Sequence, residues 1–279
     1  MSVRPRRILV YRHSVLTRIT HWINVLCILV LVMSGLQIFN AHPALYFGQK
    51  SDFDKPALAM RAVNGPDGAP IGVTTIGGAT FTTTGVLGLS AGSDGELRQR
   101  GFPSWITLPS YQDLSTGRRW HFFFAWLFVI NGAVYLIASF LNGHVWRDLL
   151  PTGRQLREIG KSIGEHLRLR FGHGDEARNY NVLQKLAYIG VIFVVLPLLI
   201  LAGLAMSPGV DAAVPWLTTV FGGRQTARTI HFICASLIVL FVLVHVIMVL
   251  ISGVWNNIRS MITGRYAIVT TAGETGDKP

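Results

Sequence analysis

Residues 229–255 read Thr229-Ile-His231-Phe-Ile-Cys234-Ala-Ser-Leu-Ile-Val-Leu-Phe-Val-Leu-Val-His245-Val-Ile-Met-Val-Leu-Ile-Ser-Gly-Val-Trp255. The run carries no Asp, Glu, Lys or Arg, and as a helix rising 1.5 Å per residue it outspans a bilayer's hydrocarbon core of roughly 30 Å. Two histidines interrupt it, fourteen residues apart. At about 100° per residue, fourteen steps end some 40° short of four full turns, so both rings leave nearly one face, about 21 Å apart along the axis. Ionisable side chains in hydrocarbon are costly and mark function by default.

Working outward, three more apolar blocks are long enough to cross a membrane: residues 19–39, 120–141 and 182–206, the last with Pro197 as a tolerated kink. Half of the 279 residues are hydrophobic and only 14% are charged. A soluble chain of this length needs more charged surface. The expected fold is an all-α membrane protein, a four-transmembrane-helix bundle with a long extracytoplasmic loop between helices 1 and 2. Residues 1–266 read as one domain and 267–279 as a disordered tail. The net charge of +11 gathers beside the apolar blocks, which suits anionic headgroups, and no nucleic-acid-binding motif accompanies it. Cys27 and Cys234 fall inside spans and read as packing residues, not a disulfide. Arg4, Arg6, Arg7 and Arg12 resemble a basic leader, but the following apolar stretch is too long for a signal core and has no small-x-small cleavage site, so a retained first span is expected.

Basic residues set the orientation. Arg4 to Arg18 precede the first span. Arg147, Arg154, Arg157, Lys161, Arg168, Arg170 and Arg178 lie between spans two and three, and Arg259 and Arg265 follow the fourth. All fall on one side, which the positive-inside rule makes cytoplasmic, in a bacterial inner membrane with both termini inside. Arg118, Arg119, Arg224 and Arg228 lie opposite. Residues 40–117 are then outside, a long excursion rich in Gly, Pro and Thr that suits a docking platform for an extracytoplasmic partner. Residues 153–171 carry apolar and basic positions at helical spacing and read as an interfacial helix.

Of the nine histidines, His21, His121, His231 and His245 lie in spans. By depth they form two layers: His121 with His231 in the outer one, His21 with His245 in the inner one. Two imidazoles per layer suit a six-coordinate haem b, whereas zinc asks for three or four ligands. There is no Cys-x-x-Cys-His for covalent attachment. Gly35, at outer depth, and Gly132, at inner depth, would each clear room for the porphyrin that their own helix does not ligate, or serve ordinary helix packing. His13, His42, His144, His166 and His173 lie in loops or at span ends, with His144 a candidate proton relay.

The stretches Arg18-Ile-Thr-His21-Trp22-Ile-Asn24 and Arg118-Arg119-Trp120-His121-Phe122, with the His231 to His245 spacing, resemble the cytochrome b subunits of nickel–iron hydrogenase, formate dehydrogenase and thiosulfate reductase. His42-Pro-Ala-Leu-Tyr46 and Ser260-Met-Ile-Thr-Gly-Arg265-Tyr266 make the whole-chain pattern most similar to thiosulfate reductase cytochrome b subunits. The resemblance implies two haem b groups, pairing of His21 with His245 and of His121 with His231, a quinone site near one haem, and a catalytic partner carrying molybdopterin or iron–sulfur centres. The outer loop is longer than in formate dehydrogenase subunits, a departure that leaves the identity of the partner open.

The expected function is electron transfer between the quinone pool and an extracytoplasmic redox partner. The quinone would meet the inner haem near Arg18, Trp22 and Asn24, residues that equally serve as interfacial anchors. Arg118 and Arg119 would pair with haem propionates. The alternative is a stand-alone di-haem quinone reductase fed by a diffusible donor such as superoxide. A transporter would show broken helices and inverted repeats, and neither is evident. The pattern is compatible with a dimer.

Overall fold

The computed structural model describes residues 6–143, 145–157, 160 and 182–270. Four of its helices are long and apolar enough to span a membrane: α1 (Val15–Asn40), α2 (Leu114–Leu141), α4 (Val182–Ala205) and α7 (Arg224–Ile251). Shorter helices are α3 (Gly153–Arg157), α5 (Pro208–Ala213), α6 (Pro215–Val220) and α8 (Val254–Thr263). The spans leave Leu29, Phe123, Leu240, Leu243 and Ile247 exposed on the protein surface, an apolar belt that only lipid would cover.

Local chemistry sets the helix ends. Ser14 Oγ accepts the Thr17 N–H at 3.1 Å at the head of α1. Asp113 caps α2 by accepting from the Thr116 N–H at 3.1 Å and the Thr116 hydroxyl at 2.7 Å, and these bonds hold its carboxyl below the usual range. In α4 a π-helical turn at Val191–Val195 directly precedes Pro197, where the wider turn accommodates a ring that lacks an N–H and clashes with the preceding carbonyl. The fourth span starts earlier and stops earlier than residues 229–255, because Gly253 turns the chain with φ 105°. Helix α8 follows, with Trp255 and Ile262 exposed beside Arg259, the make-up of an in-plane interfacial helix. Of the interfacial helix expected over 153–171, Gly153–Arg157 is helical; its remainder apart from residue 160, and His144, His166 and His173, lie outside the described residues.

The expectation of an all-helical chain is corrected in the excursion. Strands β2 (Ala44–Leu45), β3 (Leu58–Asn64), β4 (Pro70–Ile76) and β5 (Ala79–Thr82) form an antiparallel meander in that order, and β6 (Gly88–Ala91) pairs with β7 (Leu97–Arg100). A separate antiparallel pair joins β1 (Arg6–Tyr11) to β8 (Arg265–Thr270), so ordered strand continues past Tyr266, where the sequence suggested a tail.

The chain gathers into two compact units, Asn24–Ile130 with Val195–Val239, and Met1–Ile23 with Asn131–Val194 and Leu240–Pro279. In the first, Phe39, Leu45 and Met60 form a core with Phe102 and Phe232, and Ala202, Ala205, Leu217, Phe221 and Ala227 form another. Buried Arg100 ties down the return of the excursion, donating to the carbonyls of Phe102 at 2.8 Å and Ser110 at 3.2 Å and to Thr107 Oγ1 at 3.1 Å. The second unit contains α8 and the β1–β8 pair.

Candidate functional site

The first unit brings His121 of α2 to His231 of α7, with ring centroids 6.3 Å apart and planes at 64°. Each ring has one nitrogen engaged. Ser34 gives its only hydroxyl proton to the Val30 carbonyl at 2.6 Å, so its oxygen accepts the Nδ1–H of His121 at 3.1 Å. Nδ1–H of His231 donates to the Leu199 carbonyl at 2.9 Å. Both bonds select the tautomer that leaves Nε2 bare for a metal. Behind each ring stands a glycine. A Cβ on Gly35 would lie 3.3 Å from His121 Cε1, and one on Gly203 would lie 3.2 Å from His231 Cε1 and Nδ1. Read from sequence, Gly35 clears room for a porphyrin, whereas here it faces the ligand ring of His121; Gly203 was missed, since α4 carries no ligand to draw attention to it.

The second unit brings His21 of α1 to His245 of α7, again 6.3 Å between centroids, with planes at 63°. Trp22 meets His21 edge-on at 5.6 Å. Phe241 stacks on His245 at 6.1 Å and meets Tyr188 edge-on at 6.1 Å. Asn131 Nδ2 donates to the Thr20 carbonyl at 2.8 Å, joining α2 to α1 one residue before His21. A Cβ on Gly132 would meet nothing within 4 Å. Trp22 Nε1 donates to the Met261 carbonyl at 3.1 Å, and Arg18 Nη1 donates to the Ile262 carbonyl, so both polar groups meet α8. Arg18 Nε is buried without a hydrogen-bond partner among the described residues. Asn24 follows on α1, half-buried.

Two imidazoles on opposite sides of one iron, with metal–nitrogen bonds of about 2 Å, place their ring centres roughly 6 Å apart. Both pairs meet that spacing. Among the described residues no group of three or more His, Cys, Asp or Glu side chains gathers as a zinc or calcium site would require.

A repeated motif escaped the sequence reading. Arg18, Arg118 and Arg228 each stand three residues before His21, His121 and His231, one turn nearer the helix start. Arg118 and Arg119 line a recess of about 480 Å³ with Leu114, Ser115 and Phe122. Arg224 and Arg228 line one of about 360 Å³ with Met206 and Gln225.

Residues 42–49 fasten onto the start of α7. The Gly48 carbonyl accepts the N–H groups of Gln225 at 3.0 Å and Thr226 at 3.3 Å. Thr226 Oγ1 accepts the Gly48 N–H at 2.7 Å, and Gln49 Oε1 accepts the Arg224 N–H at 3.0 Å. Arg228 donates to the His42 carbonyl at 2.6 Å, and Thr229 Oγ1 donates to the Tyr46 carbonyl at 2.6 Å. The backbones are so close that a Cβ on Gly223 would stand 2.5 Å from Gly48 C and O. Tyr46, whose phenol burial pushes up, stays protonated and donates to His42 Nε2 at 3.1 Å. Burial, then the Arg228 cation, pushes His42 below its ordinary value, so it is neutral and able to accept.

Spanning helices with histidines paired at iron-ligating distance define a membrane cytochrome b. The chain belongs to the family of prokaryotic cytochrome b561, which it matches over residues 12–264. Membership carries haem b and a role in electron transport. The chain is similar to the putative protein-methionine-sulfoxide reductase subunit YedZ1 of Azospira oryzae, with 28% identity over 237 residues, 85% of this chain and 89% of that protein.

Proposed function

We propose that the chain is the di-haem membrane subunit of an oxidoreductase, carrying electrons between quinone and an extracytoplasmic catalytic partner. The observation that carries this reading is the pair of matched histidine separations, 6.3 Å in each unit. Haem b, when bound, supplies a one-electron iron couple. His121 and His231 hold the outer iron, and His21 and His245 the inner one. The Ser34 oxygen and the Leu199 carbonyl raise ligand basicity in the outer pair by accepting the other ring proton. Gly35 and Gly203 leave room for the ligand rings of His121 and His231, and Gly132 leaves room for the macrocycle. Arg118, Arg119 and Arg228 neutralise propionates.

Quinone exchange belongs at the inner pair, with Arg18 and Trp22 as its wall. The buried Nε of Arg18 has no hydrogen-bond partner among the described residues and can donate to a cofactor or quinone oxygen. The excursion over residues 40–117 serves as the docking platform, in a bacterial inner membrane with both termini cytoplasmic. Similarity to a protein named as a subunit of a reductase favours a partner-dependent role over a stand-alone one, and a molybdopterin-bearing partner suits that chemistry. Residues 1–266 act as one di-haem unit.

The test is haem per polypeptide, by pyridine haemochrome and reduced-minus-oxidised spectra on membranes purified through a tag on this chain. Two b haems are expected, falling to one or none in His121→Ala and in His245→Ala. Folded protein without a haem spectrum would overturn the reading, and any protein co-purifying at fixed ratio is the partner to identify.

A further inference from the structure

We propose that the turn bearing Phe47 and Phe53 is where electrons enter or leave the outer site, and that its partner is a one-electron redox protein whose centre comes to rest over Phe53. The proposal rests on the di-haem reading above and adds to it a place of contact and a route. Phe53 is 69% exposed and Phe47 64%, whereas Tyr46 is 2% exposed and Phe39 5%. A file of contacts leads inward from Phe53, ring on ring at its outer end and through a hydrogen-bonded cation further in. Phe53 meets both His42 and Tyr46 edge-on at 5.9 Å, and those two stack on each other at 5.6 Å. The His42 carbonyl holds the Arg228 guanidinium at 2.6 Å, and that cation lies 5.5 Å from the centre of the Phe39 ring. Phe39 packs on Phe232 at 4.9 Å, and Phe232 is the residue next to His231.

Every member of the file lies in one compact unit, and the hydrogen bonds of residues 42–49 to α7 fix the turn against the helix that bears the ligand. Lys50, Asp52, Asp54 and Lys55 surround Phe53 in sequence, a rim of both signs that suits a small, short-lived contact with a redox protein. Phe53 is the one ring of the file that is both exposed and continuous with the core.

Cys27 and Cys234 are buried, so a thiol placed on the surface can be labelled selectively. A ruthenium polypyridyl complex is attached at Phe53→Cys, and at Asp67→Cys as a control on the β3–β4 turn of the same unit. A flash drives one electron from the excited Ru(II) label, leaving Ru(III), to ferric iron, giving ferrous iron; an added aniline donor returns the label to Ru(II). The readout is the rise of the reduced haem b band. A fast phase is expected from the label at position 53, a slower one from position 67, and loss of the fast phase when Phe39→Leu is added to Phe53→Cys with the haem spectrum unchanged. If Phe39→Leu does not fold, Phe232→Leu interrupts the file one ring further on. Equal rates from the two labels, or a fast phase untouched by the interrupting variant, would overturn the proposal. Absence of haem from the labelled protein would instead overturn the di-haem reading on which it rests.

Discussion

A histidine offers Nε2 to iron only while its other nitrogen keeps a proton and its ring is held from turning. For His121 both conditions fall to Ser34 and Gly35, and for His231 to the Leu199 carbonyl and Gly203. Ser34→Ala removes one acceptor and leaves the helix otherwise intact; haem retention at this site should weaken roughly 10- to 100-fold, the usual effect of losing an outer-shell partner, as measured by haem transfer to an apo-globin acceptor. Gly203→Leu should be harsher. A Cβ alone already lies 3.2 Å from the ring, so the larger side chain drives His231 off its carbonyl, and haem content falls by one while the protein stays membrane-inserted. His42 gives a pH signature. Its proton is disfavoured in the folded chain, by burial and then by Arg228, but is taken up in the unfolded chain near pH 6.5. Its contribution to stability is therefore full above about pH 6.5 and is lost as pH falls from there toward the lower folded value. The thermal midpoint should drop over that acid window, and His42→Gln should flatten the drop.

At the scale of elements, the attachment of residues 42–49 to α7 is the contact most exposed to a single change. Gly223 has φ 113° and faces the Gly48 backbone at a distance no Cβ tolerates. Gly223→Ala should cost about 1–3 kcal/mol through backbone strain, read as a lowered unfolding midpoint with the helical content of the spans unchanged. The spans themselves were legible in sequence because each is a long, predominantly apolar run, and hydropathy over that length has few competing readings. The excursion was not. Pro70-Ile-Gly-Val-Thr-Thr-Ile76 forms a strand, yet its buried residues, Gly72, Val73 and Thr74, are consecutive, so the period-two alternation that announces a strand is absent. Helix α8 was missed for a different reason. The apolar character continues across Gly253, and only the left-handed backbone there ends one helix and begins another. The histidine pairs followed from depth and angle alone. Gly203 lay on the span without a ligand, and although Arg18 and Arg118 were given roles at the quinone and the propionates, the Arg-x-x-His repeat at residues 18–21, 118–121 and 228–231 was not seen as one and Arg228 was read as flanking charge.

For the whole molecule, the distribution of arginine and lysine sets a vectorial arrangement that a topology reporter can check. A phosphatase domain that is active only outside the cytoplasm, inserted after Gly92, should be active, and the same domain appended at the carboxyl end should be silent; the reverse pattern would invert the assignment of inner and outer pairs. The excursion is sewn down at both its ends. Its departure is bound to α7 through Gly48 and Gln49. Its return is bound to α1, where Gln37 donates to the Tyr111 carbonyl at 2.9 Å and the Leu108 N–H donates to the Met33 carbonyl at 3.1 Å. What lies between those seams, residues 50–107, carries no histidine of its own. The surface strands and turns of that middle are therefore where length and sequence can change to suit a partner without replacing any residue proposed to hold a metal.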